Sequence, residues 1–300
     1  MQRSVPQTQA PLDLRPAPRV QEIVDQAVRR ALEQSAEKKL GSNELAVTLV
    51  DLRDQNQPVQ GSCRGGEQIY PASVVKLFYL VAAHRWMEDG RLADTEELRR
   101  AMRDMIVDSY NEATGYIVDL LTDTTSGPEL SPTEMEVWYD KRNAVNRYFA
   151  SLGYQNINVN RKPWCEGPYG REKQSVNLHK PNHRNWLTTD ATARLLTDIA
   201  TSRAVTSQRS RQMMELLTRD PFNPKAETQS REYTGKALPE GAKLWSKAGW
   251  TSETRHDAAY VELPDGNRFV LVIFTVNHAN EKEIIPMVAR TVVEAVGGIR

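Results

Sequence analysis

Val20, Ile23, Val24, Ala27, Val28, Ala31 and Leu32 recur at intervals of three and four, the apolar stripe of an amphipathic helix. Leu45 to Leu52 then alternates within a β-rich run and predicts a strand. Near the other end, Asp257 to Leu263 and Arg268 to Val276 predict two more strands. The Pro264-Asp265-Gly266-Asn267 stretch between them has the turn chemistry of a hairpin. Ile284, Ile285, Val288, Val292 and Val296 mark a closing helix. Helix and strand at one end, with two strands and a helix at the other, predict one antiparallel sheet built from both termini. Helices should flank it.

The middle of the chain keeps a helical rhythm. Helices are expected near 74–89, 94–106, 111–122, 135–151, 189–201 and 207–218. The expected class is therefore α+β. An α/β lobe is formed by 19–70 plus 236–300, and an all-α lobe over 71–235 is inserted into it. Residues from about 156 to 187 lack clear periodicity and predict a long loop, which in a compact domain is usually functional or disordered. Residues 1–18 are polar and carry Pro6, Pro11, Pro16 and Pro18, the pattern of a disordered leader or tether. A groove between the two lobes is the expected place for a ligand.

Composition and charge mainly exclude. A chain of 300 residues is long enough to bury a substantial core. Its 39 basic and 39 acidic side chains cancel, leaving no field to draw nucleic acid or an anionic membrane. No apolar run approaches the roughly 20 residues that span a bilayer. Cys63 and Cys165 allow at most one disulfide, and both are expected to be free thiols. His179, His183 and His256 lack ligand spacing with Cys, Asp or Glu, so neither metal nor cofactor is expected.

Three short motifs change the picture. Ser73-Val74-Val75-Lys76 opens an apolar helix, where Ser73 would feel the positive end of the helix dipole. Lys76, three residues on, shares its face. A lysine among apolar neighbours and other cations can lose its proton near neutrality and serve as a base. Ser109-Tyr110-Asn111 begins a second apolar run, and Lys247-Ala248-Gly249 precedes the terminal strands. Each motif alone also reads as a helix cap or a strand end. A Ser-x-x-Lys, a Ser-x-Asn and a Lys-x-Gly in that order are the signature of class A β-lactamases and penicillin-binding proteins. The chain resembles that active-site serine superfamily over most of 20–300, most weakly through 123–186.

The resemblance implies a monomer whose partner is a small-molecule β-lactam or a peptidoglycan-like peptide substrate, and it implies roles. Ser73 would be the nucleophile and Lys76 its general base, and Ser109 would pass a proton to the leaving group. Asn111 would hold Lys76 and bind the substrate amide. Lys247 would place charge near Ser109 and the substrate carboxylate, and Gly249 would let substrate approach the strand. Backbone N–H groups of Ser73 and Trp250 would form the oxyanion hole. Relatives usually act in the periplasm or outside the cell, although Met1 to Arg19 holds no apolar signal-peptide core.

Departures from the pattern matter as much. The interval from Ser73 to Ser109 is shorter than in class A enzymes, which predicts a groove more open on one side. Ala248 replaces a hydroxyl that would help bind a carboxylate, and Thr251, Ser252 or Arg255 are candidates to replace it. The loop that carries the deacylating glutamate in class A enzymes is enlarged here. Glu166 and Glu172 compete for that role, and a third possibility is that no glutamate fills it. Trp164, Tyr169, His179, His183 and Trp186 bring rings to this loop, either as a wall for substrate or as pins for the loop. Three functions stay open: a β-lactam hydrolase; a D-alanyl-D-alanine peptidase or esterase that deacylates slowly; and a non-catalytic relative that binds peptidoglycan or a partner.

Overall fold

A computed structural model describes residues 12, 14–164, 167–179 and 184–297. The strands are β1 (Arg15–Pro16), β2 (Leu45–Asp51), β3 (Val59–Cys63), β4 (Thr218–Arg219), β5 (Lys243–Trp250), β6 (Thr254–Glu262) and β7 (Arg268–Val276). They form one sheet in the order β1-β3-β2-β7-β6-β5-β4. Every described pairing is antiparallel except the short parallel contact between β1 and β3. Chain ends therefore meet in the centre of the sheet, where β2 pairs with β7 over Leu45–Asp51.

All of β2 is buried, because both faces of the sheet are covered. Side chains alternate across a strand, so its residues feed two cores. Ala46, Val50, Val270, Val272 and Phe274 face the helical lobe. Leu45, Val47, Leu49, Leu271 and Ile273 face helices α1 (Pro18–Gln34) and, at the far end of the chain, Ile284–Val296.

The inserted lobe contains α2 (Lys76–Glu88), α3 (Glu96–Ile106), α4 (Asn111–Thr122), α5 (Pro132–Arg142), α6 (Ala144–Ser151), α7 (Gly170–Leu178), α8 (Thr189–Ala200), α9 (Ser207–Leu217) and the single turn α10 (Thr228–Arg231); α11 (Ile284–Val296) closes the chain. Helix α2 is apolar almost all round and is buried almost all round, the central column of this lobe. No described helix is long and apolar enough to cross a membrane.

Three sequence expectations change. The single helix expected over 135–151 is two, α5 and α6, divided at Asn143. The Asn143 side chain donates to the Tyr139 carbonyl and accepts from Asn146, the local bonding by which asparagine competes with helix. The long loop contains α7, whose first residue, Gly170, has φ +48°, and a Cβ there would overlap the Gly127 carbonyl oxygen. Part of the expected leader is also structured. Leu12 is buried, Arg15–Pro16 pairs with Val59–Gln60, and α1 begins at Pro18.

Candidate active site

The site grows from the turn that enters α2. Ala72, in the left-handed region at φ 46°, begins a 3₁₀ turn over Ala72–Val75 that runs directly into the helix. Ser73 is half-buried on this turn, and its hydroxyl makes no hydrogen bond among the described residues. Lys76 is completely buried. Its ammonium donates to the Ser109 carbonyl oxygen at 2.5 Å, to Asn111 Oδ1 at 2.9 Å and to Ser109 Oγ at 3.2 Å. The first and second motifs are thus joined through a lysine.

Ser109 sits between α3 and α4 with φ +60°, a conformation that costs a non-glycine residue energy and is sustained by its surroundings. The Lys247 ammonium lies on the other side of its hydroxyl. Lys247 is wholly buried and donates to Ser109 Oγ at 2.9 Å, Gln229 Oε1 at 2.8 Å and its neighbour's carbonyl, Ala248 O, at 2.8 Å. Burial, and then the charge of Lys76, hold Lys247 well below the usual lysine pKa. Ser109 Oγ accepts from both lysines, so its own proton remains available to a third atom.

Strand β5 brings the third motif against the nucleophile turn. The Thr251 N–H bonds to Thr254 O, toward β6. By alternation the N–H groups of Ala248 and Trp250 face the outer edge. That of Ala248 is taken by Gln229 Oε1 at 3.3 Å, leaving Trp250 next along the edge. Gly249 packs so closely that a Cβ would stand 2.8 Å from Ser73 N, 2.8 Å from Pro71 O and 3.0 Å from Val74 N. Only glycine lets the strand approach the Ser73 amide this closely.

Other candidates fall elsewhere. Ala248 joins the core beneath the terminal helices, on the sheet face opposite Lys247. Arg255 shares that opposite face, where its guanidinium bonds Glu232 at 3.2 Å and lies 4.0 Å over the Tyr233 ring. The Thr251 hydroxyl accepts from the Glu253 and Thr254 amides and so closes the β5–β6 turn. His256 is buried, with Nε2 2.9 Å from Tyr70 O and Nδ1 accepting from the Thr275 amide at 3.1 Å. Desolvation lowers its pKa to about 4, so it is a neutral brace behind the nucleophile turn. Asp257 points to the other face and accepts from the Thr234 amide, so it forms no Ser-His-Asp arrangement with His256.

Glu172, in the first turn of α7, is also buried. Its Oε1 accepts from Arg142 Nη2 at 2.5 Å and from Ser126 Oγ at 3.2 Å, with Lys162 Nζ at 3.6 Å. Asp119 completes the cluster, 2.6 Å from Lys162 and 3.2 Å from Arg142. Desolvation dominates at Asp119 and raises its pKa despite both cations. This network pins α7 to α4 and α5, and none of its hydrogen bonds reaches Ser73 or Lys76. Glu166 and Cys165 lie outside the described residues, as does His183; Cys63 is a free thiol.

A cleft of about 610 Å³ runs from Asn111 along α4, bounded by Gly115, Tyr116, Lys162, Trp164 and Tyr169. Trp164 and Tyr169 meet edge to face, whereas His179 stacks on Tyr139 at 3.4 Å and serves as a pin. Sequence reasoning missed Gln229 and the Asp119–Lys162–Arg142 network. Gln229 lies in a four-residue helix with no apolar period, and the network joins residues whose intervals match no motif.

A seven-stranded sheet with flanking helices and an inserted helical lobe defines the β-lactamase/transpeptidase-like α+β fold. The β-lactamase enzyme family model matches residues 26–296, and the chain belongs to that family. Among solved structures, a β-lactamase from Sphaerobacter thermophilus is 21% identical with a TM-score of 0.65, over 93% of this chain and 98% of that one. A mutant of PBP-A, solved as an acyl-enzyme complex with penicillin G, is 18% identical with a TM-score of 0.66, over 96% and 100%. The TLA-1 extended-spectrum β-lactamase is 12% identical with a TM-score of 0.67, over 92% and 99%. No curated protein matches the chain in sequence.

Proposed function

We propose that this protein is a serine hydrolase that forms an acyl-enzyme on Ser73 from a β-lactam or a related amide or ester. One observation carries the reading: two buried lysines, from α2 and β5, both donate to the hydroxyl of Ser109 beside the Ser73 turn. A structural core has little use for two buried ammonium groups around one serine, because each costs desolvation and repels the other.

In the proposed mechanism, Lys76 acts as the neutral amine, having released one proton to solvent, and takes the Ser73 proton as Oγ attacks the carbonyl carbon. The oxyanion is stabilised by the Ser73 and Trp250 amides, for which the open β5 edge and the tight Gly249 contact speak. The tetrahedral intermediate collapses as Ser109 gives its proton to the leaving nitrogen or oxygen, and Ser109 is reprotonated from a lysine. Asn111 and the cleft along α4 receive the acyl side of the substrate. Lys247 spends its three N–H groups on protein acceptors, so in this state it acts on Ser109 rather than on a substrate carboxylate.

Deacylation separates a β-lactamase from a penicillin-binding peptidase or esterase. Glu172 is held by Arg142 and Ser126 and is a poor water-activating base in that setting. We assign the role to Glu166 if any glutamate fills it. Incubation with a chromogenic cephalosporin and a fluorescent penicillin, read by turnover and intact mass, tests the proposal. Turnover, or a stable Ser73 adduct, supports it. Absence of any adduct or turnover with β-lactam, ester and amide donors favours the non-catalytic binder.

A further inference from the structure

We propose that Gln229 is the positioning residue that couples Lys247 to the Ser109 segment and sets the proton affinity of that lysine. The inference rests on the acyl-transfer reading of the site. Gln229 lies in α10, outside all three motifs, and is buried. Its carbonyl oxygen accepts from Lys247 Nζ at 2.8 Å and from the Ala248 amide at 3.3 Å. Its amide nitrogen donates to the carbonyl of Val107 at 3.1 Å, two residues before Ser109, and to Glu227 at 3.3 Å. One side chain therefore ties the outer edge of β5 to the strained turn that presents the Ser109 hydroxyl.

Two consequences follow from that placement. The Gln229 oxygen fixes the direction of one Lys247 N–H, and the Ala248 carbonyl fixes a second, so the third points at Ser109. Gln229 is also the neutral acceptor that favours the charged form of a lysine otherwise opposed by burial. The charged groups acting on Lys247 are Lys76 from α2, Arg219 from β4, Glu227 beside α10 and Asp257 from β6. Lys76 and Arg219 lower its proton affinity, and Glu227 and Asp257 raise it. Removing the Gln229 acceptor shifts this balance toward the neutral amine, and a carboxylate in its place shifts it toward the ammonium.

The test is the titration of Lys247 itself, which needs no substrate. Lysine labelled with 13C at Cε is introduced, and the Lys247 resonance is assigned by its loss in Lys247→Arg. Gln229→Met should lower the apparent pKa by about one unit or more, the effect of losing one charge-assisted hydrogen bond. Gln229→Glu should raise it. In the acylation assay, the alkaline limb of the rate profile should move in the same two directions. Opposite shifts support the proposal. It is overturned if both variants leave the Lys247 titration in place, or move it the same way, while only thermal stability changes. Correct shifts without acylation of the wild type would retain Gln229 as the residue that tunes Lys247 and reject the acyl-transfer reading instead.

Discussion

Glu172→Gln discriminates a structural from a catalytic carboxylate. In the native cluster Arg142 and Lys162 face Asp119 and Glu172, so two positive and two negative charges balance. Arg142 is fully buried, and its shortest ion pair, 2.5 Å, is to Glu172. The substitution leaves in place Asp119, 3.2 Å from Arg142 in the native protein, and Thr124 Oγ1, which accepts from Arg142 Nε at 2.9 Å. Breaking a buried pair by neutralising one partner costs about 3–5 kcal/mol. With one carboxylate left and the amide oxygen still able to accept, the lower part of that range, about 3 kcal/mol, is expected. For a chain of this size that lowers Tm by about 6 °C. Urea and thermal unfolding measure the loss, and acylation of Ser73 below the transition should stay within a few-fold of wild type. The reasoning is refuted if Glu172→Gln leaves stability unchanged and accumulates acyl-enzyme, for the carboxylate would then be acting on water beside Ser73.

Other outcomes follow from the same geometry. Gly249→Ala should slow acylation by about 100-fold and destabilise by about 1–3 kcal/mol, because its Cβ presses on the backbone of Pro71, Ser73 and Val74, where no side chain can yield. Stopped-flow acylation and a melt check both parts. His84 and His256 are buried with pKa values lowered to about 4, chiefly by desolvation. Their stabilisation is present above the unfolded value near 6.5 and is lost as pH falls toward 4, up to about 3 kcal/mol for each. Asp198, raised by burial to about 6, works oppositely: its contribution is full below the usual carboxylate value and declines as pH rises through 6. Neither ring nitrogen of His84 has a hydrogen-bond partner among the described residues, so His84→Leu should flatten the acid loss seen in urea titrations at pH 7 and 4.5. Glu166→Gln should turn any β-lactam turnover into a lasting adduct visible by intact mass.

What the sequence disclosed divides along local and non-local lines. The apolar periods of α1, α4, α8 and β7 are local properties, and their predicted limits lie within a residue or two of the structure. Lys76, Ser109, Asn111 and Lys247 were legible because each sits in a short motif, and the fold draws those motifs together. Gln229 and Lys162 were not, since what gives them meaning is a partner far away in the chain: Lys247 for one and Asp119 for the other. Arg255 shows the converse. Its nearness to the Lys-x-Gly motif made it a candidate, but strand alternation turns it to the other face, onto Glu232. Likewise β1 and β3 are short strands at one side of the sheet whose residues carry little periodic signal, and only pairing defines them.

The central claim is that Ser73 becomes acylated through the apparatus built by Lys76, Ser109 and Lys247. Intact-mass measurement after exposure to a penicillin tests it most directly, with peptide mapping of the adduct and Ser73→Ala alongside. The account predicts a mass increase equal to the whole penicillin, located on Ser73, absent in Ser73→Ala and formed much more slowly in Lys76→Ala. An adduct or turnover that survives in Ser73→Ala would contradict it.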